Sequence, residues 1–213
     1  MLVGFHEDAG LRTHNSAAFL SRGAVLHVQR KLYLPTYGEW EERKHTSPGQ
    51  TLRAFDTPLC RLATLICNDA WQAPLPWLAA QDGAEMLLVP ACSAGGTAPD
   101  APGRGRLAPG LLDCEEYWSQ LLVTIARMQQ CWVVFVNRVG TEAGACFWGA
   151  SRIVDPSGEV VVRAPRSEPA LLVADIDISA SRRRRRALPL LGEGRLALID
   201  RELRRLLDAG GDA

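Results

Sequence analysis

The chain has 213 residues, of which 47% are hydrophobic and 23% charged, with 24 basic and 24 acidic side chains. This balance fits a globular domain able to bury a sizeable core, and it excludes a disordered, collagen-like or membrane-spanning chain. Zero net charge provides no overall field toward nucleic acid or an anionic membrane surface. The first ten residues, MLVGFHEDAG, carry two acids and no basic n-region, which points away from a signal peptide and toward a cytoplasmic protein.

Short apolar runs alternate with helical stretches, the pattern of an α/β protein in one domain spanning residues 1–213. Residues 1–5 and 24–28 read as strands. The run LCRLATLIC, residues 59–67, is a buried strand that stops at the polar pair Asn68-Asp69. Residues 77–80 read as a helical turn or two, and 85–90 as another buried strand. The Gly-, Pro- and Ala-rich stretch 95–110 reads as a long loop of functional length.

Residues 111–130 carry apolar side chains at helical spacing, with Asp113, Glu115 and Glu116 where the macrodipole favours acids. Residues 131–136 are a buried strand. Residues 152–162 form a hairpin pivoting on Asp155-Pro156-Ser157-Gly158. Residues 171–176 read as a further strand, and 194–207 as an amphipathic helix with Leu196, Ile199, Leu203 and Leu206 on one face.

Six scattered cysteines (Cys60, Cys67, Cys92, Cys114, Cys131 and Cys146) show neither a CxxC pair nor zinc spacing, so most should be small buried hydrophobes. His6, His14, His27 and His45 lack any metal-binding spacing, and no metal or organic cofactor is expected. The run Arg182 to Arg186 reads as a solvated turn before the last helix rather than a nucleic-acid site. Lysine occurs only at Lys31 and Lys44, against 22 arginines, which directs attention to places where a compact ammonium is needed.

Cys67 stands at the carboxyl end of a buried strand and shortly before a helix, where loops leave an α/β sheet and ligands fit. A helix start and a nearby ammonium are two reasons to expect a depressed thiol pKa there. Lys31, 36 residues earlier, can stabilise the oxyanion of a tetrahedral intermediate. Glu42 lies in the acidic cluster that follows Lys31; a solvated acidic turn, shared with Glu39 and Glu41, is its other reading.

The segments RKLYLPTYGEWEER, LICNDAW and NRVGTEAGACFWGASRIVDPSGEVV together resemble the nitrilase superfamily of carbon–nitrogen hydrolases. The resemblance is to its amidase branches, including the glutaminase-type domain of NAD synthetases and carbamoyl-amide hydrolases, and it extends over the whole chain. It implies an α-β-β-α sandwich of two packed sheets with outer helices, paired into a homodimer or higher homo-oligomer. It implies hydrolysis of a non-peptide carbon–nitrogen bond, a small-molecule amide first and a nitrile as the open alternative, through an acyl-enzyme on Cys67, with Lys31 stabilising the intermediate, Glu42 positioning substrate and lysine, and no cofactor. Tyr37, Trp71 and Phe147 sit in the matching segments as pocket-lining candidates, and residues 93–110 and 141–150 as specificity loops.

The family's general-base glutamate belongs to a strand upstream of the segment that matches VGFHED, and Glu7 is not its counterpart. The chain is therefore expected to lack that base, together with the first strands and helices of the sandwich. Two readings stay open: an amide hydrolase, or a catalytically impaired relative that serves as a binding or structural subunit.

Overall fold

The computed structural model describes residues 1–37, 40–97 and 114–210. Three strands, β1 (Leu2–Asp8), β2 (Thr13–Ser21) and β3 (Ala24–Arg30), form an antiparallel meander. A six-stranded mixed sheet follows, from β4 (Phe55–Asp56), β5 (Arg61–Thr64), β6 (Met86–Ala91), β8 (Trp132–Asn137), β11 (Arg152–Val154) and β12 (Val160–Arg163), in the order β12-β11-β8-β6-β5-β4. Its centre, β5-β6-β8, is parallel. A smaller sheet has the order β7-β10-β9, from β7 (Ala94–Thr97), β9 (Val139–Glu142) and β10 (Ala145–Trp148).

Parallel strands need cover on both faces, which is why their sequences are almost continuously apolar. On one face, Ala63, Leu65, Leu87, Val89, Val133 and Phe135 pack against α1 (Pro74–Gln81) and α2 (Cys114–Gln129). Helix α2 presents Trp118, Leu122, Ile125, Ala126 and Gln129 at helical spacing toward that core. On the other face, Leu62, Met86 and Leu88 meet Phe55 and Phe19. The Phe19 and Phe55 rings lie 5.3 Å apart, and His27 stacks on Phe55 at 4.3 Å. Helix, sheet and meander are thus successive layers of the expected sandwich.

Glu115, in the first turn of α2, gathers Arg163, Arg166 (2.5 Å) and the buried Arg152 (3.7 Å), fastening the helix to the hairpin region. The hairpin turn is held as its sequence requires: Asp155 Oδ1 accepts from the N–H groups of Ser157 and Glu159. Gly158 supplies a positive φ of 89°, a conformation that residues with a Cβ rarely adopt.

Several expectations need correction. Strand β2 was hidden by its composition, since THNSAAFLS alternates small and polar side chains instead of branched ones. Residues 94–97 are strand β7 rather than loop, and 98–110 lie outside the described residues. Residues 139–148 form a β9–β10 hairpin, so most of the expected loop 141–150 is regular structure. Residues 171–176 are not a strand: their backbone pairs with no neighbouring strand among the described residues, and Leu171 and Val173 are left exposed.

The arginine run belongs to helix α3 (Ser179–Ala187) rather than to a turn. There Arg182 binds Glu85 at 2.5 Å, Arg183 binds Asp177 at 2.7 Å and Arg185 donates to the carbonyl of Ala84. The last helix, α4 (Leu196–Asp208), forms as expected, but its apolar stripe is exposed. Among the described residues, no helix is long and apolar enough to cross a membrane.

Candidate active site

Lys31 directly follows β3 and is fixed from both sides. Its N–H donates to the Asn15 carbonyl and its own carbonyl accepts from the Gly49 N–H, each at 2.8 Å. A Cβ on residue 49 would meet the Arg30 carbonyl oxygen at 2.8 Å, so this crossing requires glycine. The Lys31 side chain is 5% exposed, and its Nζ donates to Glu42 Oε2 at 2.5 Å. Asn15 Nδ2 donates to the other oxygen, Oε1, at 2.6 Å.

Glu42 opens a short 3-10 turn, Glu42–Lys44. Its N–H is tied to the Pro35 carbonyl at 3.1 Å. The solvated acid is its neighbour Glu41, which pairs with the exposed Lys44; Glu39 lies outside the described residues. A charge inside a protein must be paired and hydrogen-bonded, and the Lys31–Glu42–Asn15 arrangement meets that requirement.

Cys67 comes three residues after β5 and opens a second 3-10 turn, Cys67–Trp71. Its φ is +51°, left-handed for a residue with a Cβ, at a cost of about 1–2 kcal/mol. The Lys31 ammonium and the N–H of Cys92 both favour its thiolate, but burial outweighs them and pushes the thiol pKa up. The expected depression is thus corrected: desolvation of the sulfur wins over the nearby charge. A partly buried thiol of this kind needs a base to become a nucleophile.

Asp69 was passed over at the sequence level as half of a polar pair. It is fully buried, and its Oδ1 accepts from the N–H groups of Leu32 (3.0 Å) and Tyr33 (2.8 Å). Its Oδ2 accepts from the Ile66 N–H at 3.1 Å. Burial raises this carboxyl to about 6, against the opposing pull of those three donors.

Asn137 and Ser93 were also missed. Asn137, at the end of β8, accepts from the Ser93 N–H at 2.8 Å and donates to the carbonyls of Ser93 and Gly149. The indole N–H groups of Trp118 and Trp148 both reach Ser93 Oγ, at 3.0 and 3.3 Å. This network holds the backbone next to Cys92, whose N–H meets the Cys67 sulfur. The strand-end position of Asn137 was the available signal, since polar groups at the carboxyl ends of parallel strands face the site rather than the core.

Of the pocket candidates, Tyr37 feels the Cys67 sulfur electrostatically. Its hydroxyl donates to Asn68 Oδ1 at 3.2 Å, and its pKa is raised by partial burial and then by the neighbouring Cys67 and Cys114 sulfurs. Trp71, in the same turn as Cys67, packs edge-on against Trp118 at 5.1 Å. Phe147 is buried on β10 beneath the Arg138 guanidinium, 4.5 Å from its ring centre. No interaction among the described residues ties Phe147 to Cys67 or Lys31. Among those residues, no group of three or more His, Cys, Asp or Glu side chains is placed to hold a metal ion.

Comparison with known proteins places this arrangement in context. A family model described as carbon-nitrogen hydrolase matches residues 1–186. An N-carbamoylputrescine amidase of Arabidopsis thaliana is 29% identical over 195 residues, 87% of this chain; the chain spans 62% of that amidase's length. A carbon-nitrogen hydrolase structure from Helicobacter pylori superposes with a TM-score of 0.82 at 24% identity, covering 95% of this chain and 70% of the other. An amidase from Nesterenkonia, solved with acrylamide added at its active-site cysteine, superposes with a TM-score of 0.69 at 25% identity, covering 88% of this chain and 67% of the other.

Proposed function

Because the chain belongs to the carbon-nitrogen hydrolase family, we propose that it hydrolyses a small linear amide through an acyl-enzyme on Cys67. The Cys67 sulfur attacks the amide carbon, and the carbonyl oxygen becomes an oxyanion. Collapse expels ammonia or an amine and leaves a thioester. Water then attacks the thioester, releasing the carboxylic acid and restoring the thiol.

The observation that carries this reading is the buried Lys31–Glu42 pair beside a cysteine on a strained turn. Lys31 serves as the fixed cation for the developing oxyanion, and Glu42 with Asn15 fixes its direction before substrate arrives. The Cys92 N–H supports the sulfur as it loses its proton. Tyr37, Trp71 and Phe147 are the candidate pocket walls this reading uses. The name of the plant relative favours a substrate with a terminal carbamoyl or amide group.

Glu42 is a poor acceptor for the thiol proton, since both of its oxygens are already engaged by Lys31 and Asn15. The family resemblance implies a different glutamate as the general base. The second reading is a catalytically silent relative that serves as a binding or structural subunit. Ammonia release over a panel of linear amides, measured on this chain and on an N-terminally lengthened version, separates the two. Turnover by either that vanishes in Cys67→Ser supports the hydrolase; amide binding without turnover in both supports the silent relative.

A further inference from the structure

We propose that Asp69 is the positioning residue that sets the separation between the Cys67 sulfur and the Lys31 ammonium. The assignment rests on the Cys67–Lys31 reading above and extends it to a residue that touches neither substrate nor sulfur. The geometry is a clamp built on a single carboxylate. One oxygen receives the N–H groups of Leu32 and Tyr33, the two residues directly after Lys31. The other receives the N–H of Ile66, the residue directly before Cys67. Two segments 36 residues apart in sequence are thereby joined through neighbours of the two reacting groups.

The cost of the arrangement argues for its use. Asp69 is 1% exposed, and a carboxylate is an expensive group to bury when an apolar side chain would fill the space. Its hydrogen bonds come from backbone donors, with the Lys31 ammonium adding an electrostatic pull, so its worth lies in where it holds the main chain. Asn68 adds a weaker tie between the same segments, donating to the Tyr33 carbonyl at 3.2 Å. A left-handed turn at Cys67 persists only where its surroundings over-determine it, and Asp69 fixes the residue before the turn.

The test is the rate of iodoacetamide alkylation at Cys67, followed by mass spectrometry across a pH series. Wild type is compared with Asp69→Asn, Asp69→Glu, Lys31→Met and the double variant Asp69→Asn/Lys31→Met. Circular dichroism and thermal melting show which variants are folded. Asparagine turns an amide N–H toward a backbone donor, and glutamate keeps the charge on a longer arm, so each displaces the clamp in a different way. Either folded Asp69 variant should alkylate about tenfold more slowly at neutral pH, with its pH midpoint moved upward toward that of Lys31→Met. The double variant should be no slower than Lys31→Met alone, because both changes remove the same apposition.

An unchanged midpoint in a folded Asp69 variant, or effects that add in the double variant, overturns the proposal. So does loss of folding in both Asp69 variants while Lys31→Met folds, since Asp69 would then be structural only. If Lys31→Met itself leaves the profile unmoved, the Lys31–Cys67 reading falls and this assignment with it. If Lys31→Met moves the profile and the Asp69 variants do not, the assignment alone fails.

Discussion

Replacing Lys31 by methionine should destabilise the fold far more than an ordinary lysine substitution. The ammonium is 5% exposed and lies 2.5 Å from Glu42, whose side chain is itself only 18% exposed. Methionine keeps most of the stem and its packing but leaves a largely buried carboxylate with Asn15 as its remaining donor. Breaking a buried pair from one side costs about 3–5 kcal/mol, and partial exposure of Glu42 puts this case near the lower end. For a chain of this length that corresponds to a fall in Tm of about 6–12 °C. Converting Glu42 to glutamine in the same chain removes the stranded charge, so Lys31→Met/Glu42→Gln should recover about half of the loss. Urea denaturation of wild type, both single variants and the double variant gives the full cycle. A loss below about 1 kcal/mol for Lys31→Met, or strict additivity, would refute the argument that this pair is buried and mutually dependent.

Cys67→Ser should abolish ammonia release while Cys92→Ser retains it, because the contribution of Cys92 is a backbone N–H; amide-panel assays on both variants check this. Burial holds the Asp69 carboxyl at about 6 rather than 3.8, so the native state keeps that proton longer than the unfolded chain does. Its contribution to stability, on the order of 2–3 kcal/mol, is therefore complete below the unfolded value and lost as the pH rises through about 6. The deficit of Asp69→Asn relative to wild type should narrow over that window, and a deficit that widens in urea titrations would contradict the sign. Leu122→Ala empties a fully buried position between α2 and the parallel strands and should cost about 2–5 kcal/mol by chemical denaturation. Val3, Phe5 and Val28 on the meander are exposed, as are the leucines of α4, so the protein should elute from size exclusion as a dimer or larger species. A monodisperse monomer would count against that.

Elements whose cause is local are legible in the amino-acid order alone. The 152–162 hairpin is legible because Asp155 and Gly158 make its turn from neighbouring backbone. Helix α2 is legible because burial of one face imposes a helical period on its apolar residues, and β5, β6 and β8 because burial on both faces makes them short continuous apolar runs. Lys31 and Cys67 stood out through their rarity or strand-end position and their family-like surroundings.

Pairings between segments far apart in the chain became visible only once the chain was folded. Glu42 could be separated from Glu41 only by the partners folding brings to each, Lys31 and Asn15 for one and an exposed lysine for the other. Strand-like periodicity at residues 171–176 did not yield a strand, because a strand needs a neighbour and not a pattern alone. The direction of the Cys67 shift was likewise invisible, since desolvation depends on everything that surrounds the sulfur. Asp69 shows the limit most clearly: its donors are backbone N–H groups, which every non-proline residue carries and no sequence pattern marks.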